Sequence, residues 1–486
     1  MRITNNMIMK NSLSNINYNK TLYDNLNTQL GTEKKIQRAS ENPIIAIRAL
    51  RLRASYSDIC QYLEKNIPDA QHWLKATEDA LDSTTGLLSE FVYYCNQGVN
   101  DYNSVNERKI LYTQLKQYRD EMYASANADY AGRTVFTGYK TDRTLSFEKD
   151  DLPANYKYKI EQSVSYDDID TVNRITGCVD SGNVKEVYES DVSNNKIYRI
   201  QLAYKDIDTG ISISGVDFSG SNINVSERTI AAFGNEAYNV GPDQVVLIPE
   251  TGEILFGTNA YTVMKNSGDI TVSYNKTGFE VGDLRPEHYF NCTDMSDPDA
   301  TRHINYTISD QNMDYNINFN QKLTVNTLGK DVFSTGMARG IDDMMEAVNA
   351  AIEAQNTVAD IERQLRDTSD STTKTQLNSM LAAAQLQLAY AEENMSSAFS
   401  KSISAYQGYL DKVNLAVADI GTKNIRLTLN EERLSSQKLS VEELKSQNEE
   451  VKVAEISTKL TAASNVYDAS LAAAAMVIQK SLLDFL

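Results

Sequence analysis

Residues 453–477, VAEISTKLTAASNVYDASLAAAAMV, set the reading of the whole chain. Val453, Ile456, Leu460, Ala463, Tyr467, Ser470, Ala474 and Val477 step by three and four without a break, which predicts a helix with one apolar stripe. The stripe is narrow and rich in alanine. Such a helix cannot bury it alone and must pack on another. The opposite end supplies a partner: Met9, Ile16, Tyr23 and Leu30 recur every seven residues, with Leu13 and Leu26 beside them. The simplest arrangement pairs the N-terminal helix with the C-terminal one. Stripes at both ends of a chain suit packing between subunits as well as within one.

Inward from the ends the helical pattern continues. Cys60, Leu63, Ile67, Ala70, Leu74, Thr77, Leu81, Thr84, Leu88 and Phe91 form a heptad seam, with Pro68 inside it as an expected kink or break. Leu111, Leu115, Tyr118 and Met122 predict a second helix. Leu377, Leu381, Ala384, Leu388, Ala391, Met395 and Ala398 predict a third. Ile403, Tyr406, Leu410, Val413, Val417 and Ile420 resume after a slip of register. No proline occurs after Pro298, whereas glycines cluster between Gly132 and Gly340.

The period changes to two in the middle, roughly residues 145–326. Tyr198, Ile200, Leu202 and Tyr204 predict a strand, with a turn at 206–210 and a return strand starting at Ile211 and Ile213. Residues 244–248 and 253–256 predict a hairpin around Glu250-Thr251-Gly252, and 261–264 and 270–274 two further strands. The fold class is therefore mainly α with an inserted β domain, the terminal helices pairing as a coiled coil. The expected layout is a terminal helix at 1–42, a helical part at 43–143, a β-rich insert at 144–330, a second helical part at 331–440 and a terminal helix at 441–486.

The chain has 486 residues and a formal net charge of −19, which argues against nucleic acid and anionic membrane partners, since both select basic faces. No run of about 18 apolar residues is present, and residues 1–30 lack the apolar core of a cleaved secretory signal. If the protein is exported, the expected route reads something else.

Chemistry-bearing patterns are scarce. The four cysteines, Cys60, Cys95, Cys178 and Cys292, have neither redox nor metal-knuckle spacing. Of the three histidines, His72 reads as a helix-surface residue beside Trp73, and His288 and His303 have no ligand-spaced companions. Asp206-Ile207-Asp208-Thr209-Gly210 resembles the start of a calcium loop but lacks its third ligand and closing glutamate, and Asp294, Asp297 and Asp299 read as a solvated loop. No phosphate loop, HExxH or GxSxG occurs. The expectation is a non-enzymatic chain without catalytic residues, metal or cofactor.

The opening MRITNNM (residues 1–7), LNTQLGTEKKIQR (26–38) and the following Ala39-Ser40-Glu41-Asn42-Pro43 resemble the N-terminal region of the flagellin superfamily. Gln61-Tyr62-Leu63-Glu64-Lys65-Asn66-Ile67, Trp73-Leu74 and Gly132-Arg133-Thr134-Val135-Phe136-Thr137-Gly138 continue the resemblance, as does the ending QKSLLDFL (479–486). It covers about residues 1–141 and 341–486. Ser40-Glu41-Asn42-Pro43 and Leu482-Leu483-Asp484-Phe485-Leu486 look more like the hook–filament junction members than like filament flagellins. In the stretch 88–100, Gln97 and Asn100 fit the family. Glu90 and Val92 stand where many members have arginines, with Tyr93-Tyr94 after them, so properties tied to those arginines, including recognition by an innate immune receptor, do not carry over.

The resemblance implies an extracellular structural subunit of the bacterial flagellum, exported by the flagellar type III apparatus without a cleaved signal. It implies a role joining hook to filament, self-association through an inner coiled-coil layer, and contacts with an adjoining hook-associated protein and flagellin. An export chaperone would hold the C-terminal helix before secretion. The residues expected at the assembly interface are Met9, Leu13, Ile16, Tyr23, Leu26, Leu30, Val453, Ile456, Leu460, Ala463, Tyr467, Ala474, Val477, Leu482, Leu483 and Phe485. Two alternatives stay open, a filament flagellin and an exported coiled-coil protein whose β insert binds a surface ligand.

Overall fold

The computed structural model describes residues 5–99, 104–149, 156–216, 218, 223–266, 269–309 and 311–478. The chain divides into two compact units. The first comprises Met1–Ala70, Tyr315–Leu323 and Ile425–Leu486, the second Gln71–Asp314 and Thr324–Asn424.

The helices of the N-terminal part are α1 (Asn5–Thr32), α2 (Pro43–Gln61), α3 (Ile67–Gly98) and α4 (Val105–Glu121). Asn42 caps α2 through its side-chain oxygen, which accepts from the Ile44 and Ile45 N–H groups, and Pro43 occupies the first turn, where its missing N–H costs nothing. A π-turn at Tyr62–Asn66 separates α2 from α3. Its cause is Pro68, which cannot donate to the Glu64 carbonyl and whose ring crowds it. The break expected at Pro68 is present, one turn upstream of the proline.

The heptad seam is buried, and its residues from Leu74 onward belong to the core of the second unit. Ile67, Ala70, Leu74, Thr77, Leu81, Thr84, Leu88 and Phe91 are all buried, while Cys60 and Leu63 are half-buried. Against this seam pack α4, α8 (Gly336–Asp367) and the long α9 (Ser371–Glu449). Phe91 meets Tyr118 and Tyr406 with ring centroids 5.2 and 4.5 Å apart, and Cys95 touches Met344. Arg108 of α4 is buried and donates to Gln355 of α8 (2.9 Å) and to Glu392 of α9.

The register slip expected near residue 400 does not interrupt α9. Within one continuous helix Phe399, Tyr406, Val413, Ile420, Leu427 and Leu434 are fully buried at seven-residue intervals. The change in sequence pattern marks only a passage from paired small residues (Ala384, Ala391) to large ones.

The β region forms two five-stranded sheets. One has the order β12-β11-β3-β10-β6, with β3 (Lys157–Val164), β6 (Ser212–Ser214), β10 (Ile270–Thr277), β11 (Asn291–Asp294) and β12 (Ile304–Tyr306). The other has the order β4-β5-β9-β8-β7, with β4 (Asp170–Thr176), β5 (Ser193–Gln201), β7 (Asn224–Glu227), β8 (Gln244–Ile248) and β9 (Glu253–Phe256). Two further short pairs are β1 (Asp129–Tyr130) with β2 (Arg133–Thr134), and β13 (Asp314–Asn318) with β14 (Gln321–Thr324). Tyr158, Ile160, Val272 and Tyr274 of the first sheet share a core with Ile200, Val245, Ile254 and Phe256 of the second. Val246, Ile248 and Leu255 point to the opposite face and are covered by Ala237 and Tyr238, so β8 is buried on both sides.

The β8–β9 hairpin is where the sequence placed it. Gly252 takes a φ of +63°, and any Cβ there would collide with the Tyr204 carbonyl. Two strand expectations are corrected. Residues 261–264 are helical, within α6 (Thr258–Lys265), because Ala260 and Met264 bury together at i,i+4 and override the alternation of Tyr261 and Val263. Ile213 does not return beside β5. Asp208 donates its N–H to Asn275 O (2.9 Å) and accepts from the Thr277 hydroxyl, which carries the chain across so that β6 pairs with β10. Two short helices, α5 (Ile230–Phe233) and α7 (Gly329–Val332), and the C-terminal α10 (Val453–Ile478) complete the order. Among the described residues, no helix is long and apolar enough to cross a membrane.

Candidate assembly interface

In the first unit α1 and α10 lie antiparallel and are stapled where one ends and the other begins. Glu33 adopts a φ of +55°, and its carbonyl accepts from Val451 N–H (3.0 Å), while Lys35 N–H donates to Glu449 O (2.8 Å). Lys34 pairs with Glu450 at 3.0 Å. Arg53 of α2 grips both carboxylate oxygens of Glu449, with Nε at 2.7 Å from Oε1. That hydrogen bond holds the Glu449 carboxyl below its ordinary pKa. Asn448 donates to the Ile45 carbonyl (3.1 Å), and Lys438 pairs with Glu64 at 2.7 Å.

Beyond the staple the two stripes meet as expected, in part. Leu26, Ile456 and Ala463 form a buried cluster, with Leu30, Val451 and Leu460 packed against it. Tyr23 stacks on Tyr467 with centroids 6.4 Å apart, and Ala474 is buried further along. Ile16 is half-buried on the same face. Met9, Leu13 and Val453 are exposed instead (41, 53 and 50%). The Val477 side chain and residues Leu482, Leu483 and Phe485 lie outside the described residues.

The pair leaves much apolar surface uncovered. Met7, Ile8, Tyr18 and Leu22 on α1, with Val466, Leu471 and Met476 on α10, face outward. Each fully buried side chain of the seam contributes about 1.5–3 kcal/mol, against an ordering cost of about 1–2 kcal/mol per residue. A hairpin of two helices with so small a core is marginal by itself, and further burial on its outer face would stabilise it. The staple residues Arg53, Glu449 and Val451 were not legible in the sequence, because ion pairs between positions some 400 residues apart have no periodic signature. Asn42-Pro43 drew attention in the sequence only through its resemblance, and its capping role is a finding of the structure.

Elsewhere the other singled-out residues have structural duties. His72 is exposed and stacks on Tyr130, whose ring also meets Trp73 edge-on. Asp294, Asp297 and Asp299 each cap a local turn, accepting from the N–H groups of Ser296, Asp299 and Thr301. Burial pushes the Cys95 and Cys292 thiols up to about 12, so they stay protonated. His288 is lowered to about 3, first by burial and then by the neighbouring Lys140, Arg285 and Arg143. Below its ordinary value of 6.5 the unfolded chain takes up a proton that the folded chain refuses. Its stabilising contribution is therefore complete above that pH and declines as pH falls toward 3. Between pH 7 and pH 5 the loss is about 2 kcal/mol. Urea unfolding at the two pH values should show it in the wild type, and His288→Gln should remove it.

Residues 3–141 match the family model of the bacterial flagellin N-terminal helical region. The chain is 29% identical over 147 residues to the flagellar hook-associated protein 3 of Salmonella typhimurium, an alignment covering 29% of this chain and 45% of that protein. To the flagellar hook-associated protein 3 of Escherichia coli it is 26% identical over the same length and shares. The chain thus spans 45% of the length of the curated relatives it matches. Among solved structures, FlgL of Xanthomonas campestris aligns over 78% of this chain and 98% of its own at 15% identity, with a TM-score of 0.23. The flagellar junction protein FlgL of Legionella pneumophila aligns over 75% and 99% at 12% identity, with a TM-score of 0.24. Both superpositions are too loose for individual positions to be compared. The matched residues take in α1 through α4, and hence one half of the α1–α10 seam.

Proposed function

We propose that this chain is a structural subunit of the bacterial flagellum that joins hook to filament, assembling through α1 and α10. The observation that carries the reading is the antiparallel α1–α10 pair, stapled at one end and apolar on its outer face. Such a surface is complete only when copies pack side by side. Similarity to hook-associated protein 3 relatives supports the flagellar setting.

In this reading the subunit is extracellular and has no catalytic role. It contacts further copies of itself, an adjoining hook-associated protein and flagellin, after delivery by an export chaperone and the type III apparatus. Segments 1–42 and 441–486 form the inner layer, 43–143 and 331–440 the helical layer outside it, and 144–330 the outer insert. The deciding experiment is deletion of the gene in its host. The expected phenotype is flagellin secreted into the medium but not attached to hooks. Loss of all filament subunits would identify a flagellin instead, and normal filaments would refute a junction role.

A further inference from the structure

Within the second unit, strands β3, β4 and β5 and the helices α8 and α9 enclose a groove of about 1130 Å³. That is slightly above the roughly 300–1,000 Å³ typical of small-molecule sites. It is open because the helices present small residues there, among them Gly336, Gly340, Ala347, Ala391, Ala398 and Ser404.

The polar lining is the informative part. Four amides are each anchored at one end and present the other. Gln387 accepts from the Val179 N–H (2.8 Å), which leaves its amino group. Gln201 donates to Asp343 (2.9 Å), Asn349 to Glu353 (2.8 Å) and Asn235 to the Cys178 sulfur (3.0 Å), which leaves three carbonyl oxygens. Anchoring fixes the rotamers before any ligand arrives, which lowers the cost of binding. Tyr238 also lines the groove. It is buried at 5% exposure, and Arg174 lies over its ring at 4.7 Å.

The charges narrow the ligand class. Arg199 is spent on Glu253 and Asp343, Arg174 on Glu253 and Glu346, and Lys401 on Asp170. An anionic ligand would have to displace a carboxylate from one of these pairs. A neutral ligand that both donates and accepts at many points meets no such opposition. Hydroxyl groups do both, and the half-buried Tyr409 ring gives the groove an apolar wall for C–H faces. We propose that this groove binds a short neutral oligosaccharide. The proposal is independent of the flagellar reading.

The test is saturation-transfer NMR and calorimetry on the full chain with maltotetraose and chitotetraose, up to ~10 mM, weak binding being detectable in that range. Two variants accompany it: Asn349→Leu, at an exposed position that leaves folding intact, and Ala398→Trp, which fills the groove. Expected is saturable binding of at least one sugar, with affinity lowered tenfold or more in each variant. Absence of saturable binding to either sugar overturns the proposal. So does equal binding in wild type and both variants, which would place the sugar elsewhere. An extended Ser/Thr-rich peptide that binds the groove when the sugars do not overturns it in favour of strand addition.

Discussion

Replacing Arg199 with methionine will destabilise the second unit by about 3–5 kcal/mol, because it takes one of two counter-charges from the buried Glu253 carboxylate and breaks the tie to Asp343. Arg199 is 3% exposed and Glu253 2%, and they are hydrogen-bonded on adjacent strands. Arg199 also reaches Asp343 of α8 (Nη1–Oδ1 3.0 Å), and Arg174 joins Glu253 (3.2 Å) to Glu346 (2.8 Å). The cluster thus fastens the second sheet to α8. Restoring neutrality with Arg199→Met and Glu253→Gln together should cost less than Arg199→Met alone. Urea unfolding followed through Trp73, the single tryptophan and a buried one, measures both.

The same variant carries a pH signature. Burial alone would raise the Glu253 pKa, but Arg174 and Arg199 outweigh it and hold the group at about 2 against an ordinary 4.5. Because the folded value is depressed, the stabilisation is complete above about pH 4.5 and is lost as pH falls toward 2. Removing one of the two cations raises the folded value, so acid unfolding of Arg199→Met should begin at higher pH. An unchanged acid limb would mean that Arg174 alone holds the carboxylate.

The second large effect is expected at Leu26→Asp. The substitution removes about 1.5–3 kcal/mol of apolar burial and sets a carboxylate against Ile456 and Ala463. With a core this small, α1 and α10 should lose protection together in hydrogen exchange. Trp73 fluorescence and the unfolding of the second unit should not change. Under the proposed function, the variant chain in its host should be made and folded over its second unit yet fail to enter the flagellum. Normal incorporation would mean that the α1–α10 seam is not what assembles. Ile456→Asp, on the opposite helix, should reproduce the result.

Much of the helical architecture was legible because it rests on repetition. The Cys60–Phe91 seam and the stripe from Ile456 to Ala474 are periodic, and burial follows that period almost residue by residue. Met9, Leu13 and Val453 share the spacing yet face outward. Near a helix end the period alone does not say which of two adjacent columns meets the partner, and that depends on the crossing geometry. The strands were less legible. Residues 244–256 announced themselves by a turn with one obligatory glycine, whereas 261–264 alternated like a strand and folded as a helix.

The sequence by itself determined that both ends are amphipathic helices, that a β insert interrupts a helical chain, and that the opening motifs resemble those of flagellins. These are local properties, set by spacing, by proline and glycine, and by side-chain type. Only the tertiary structure decided the Arg53–Glu449 staple, the buried Arg199–Glu253–Asp343 cluster and the amide-lined groove. Each joins residues far apart in the chain. A charged or amide side chain looks the same in sequence whether it is solvated or buried; its partners, and therefore its energy, exist only once the chain has folded.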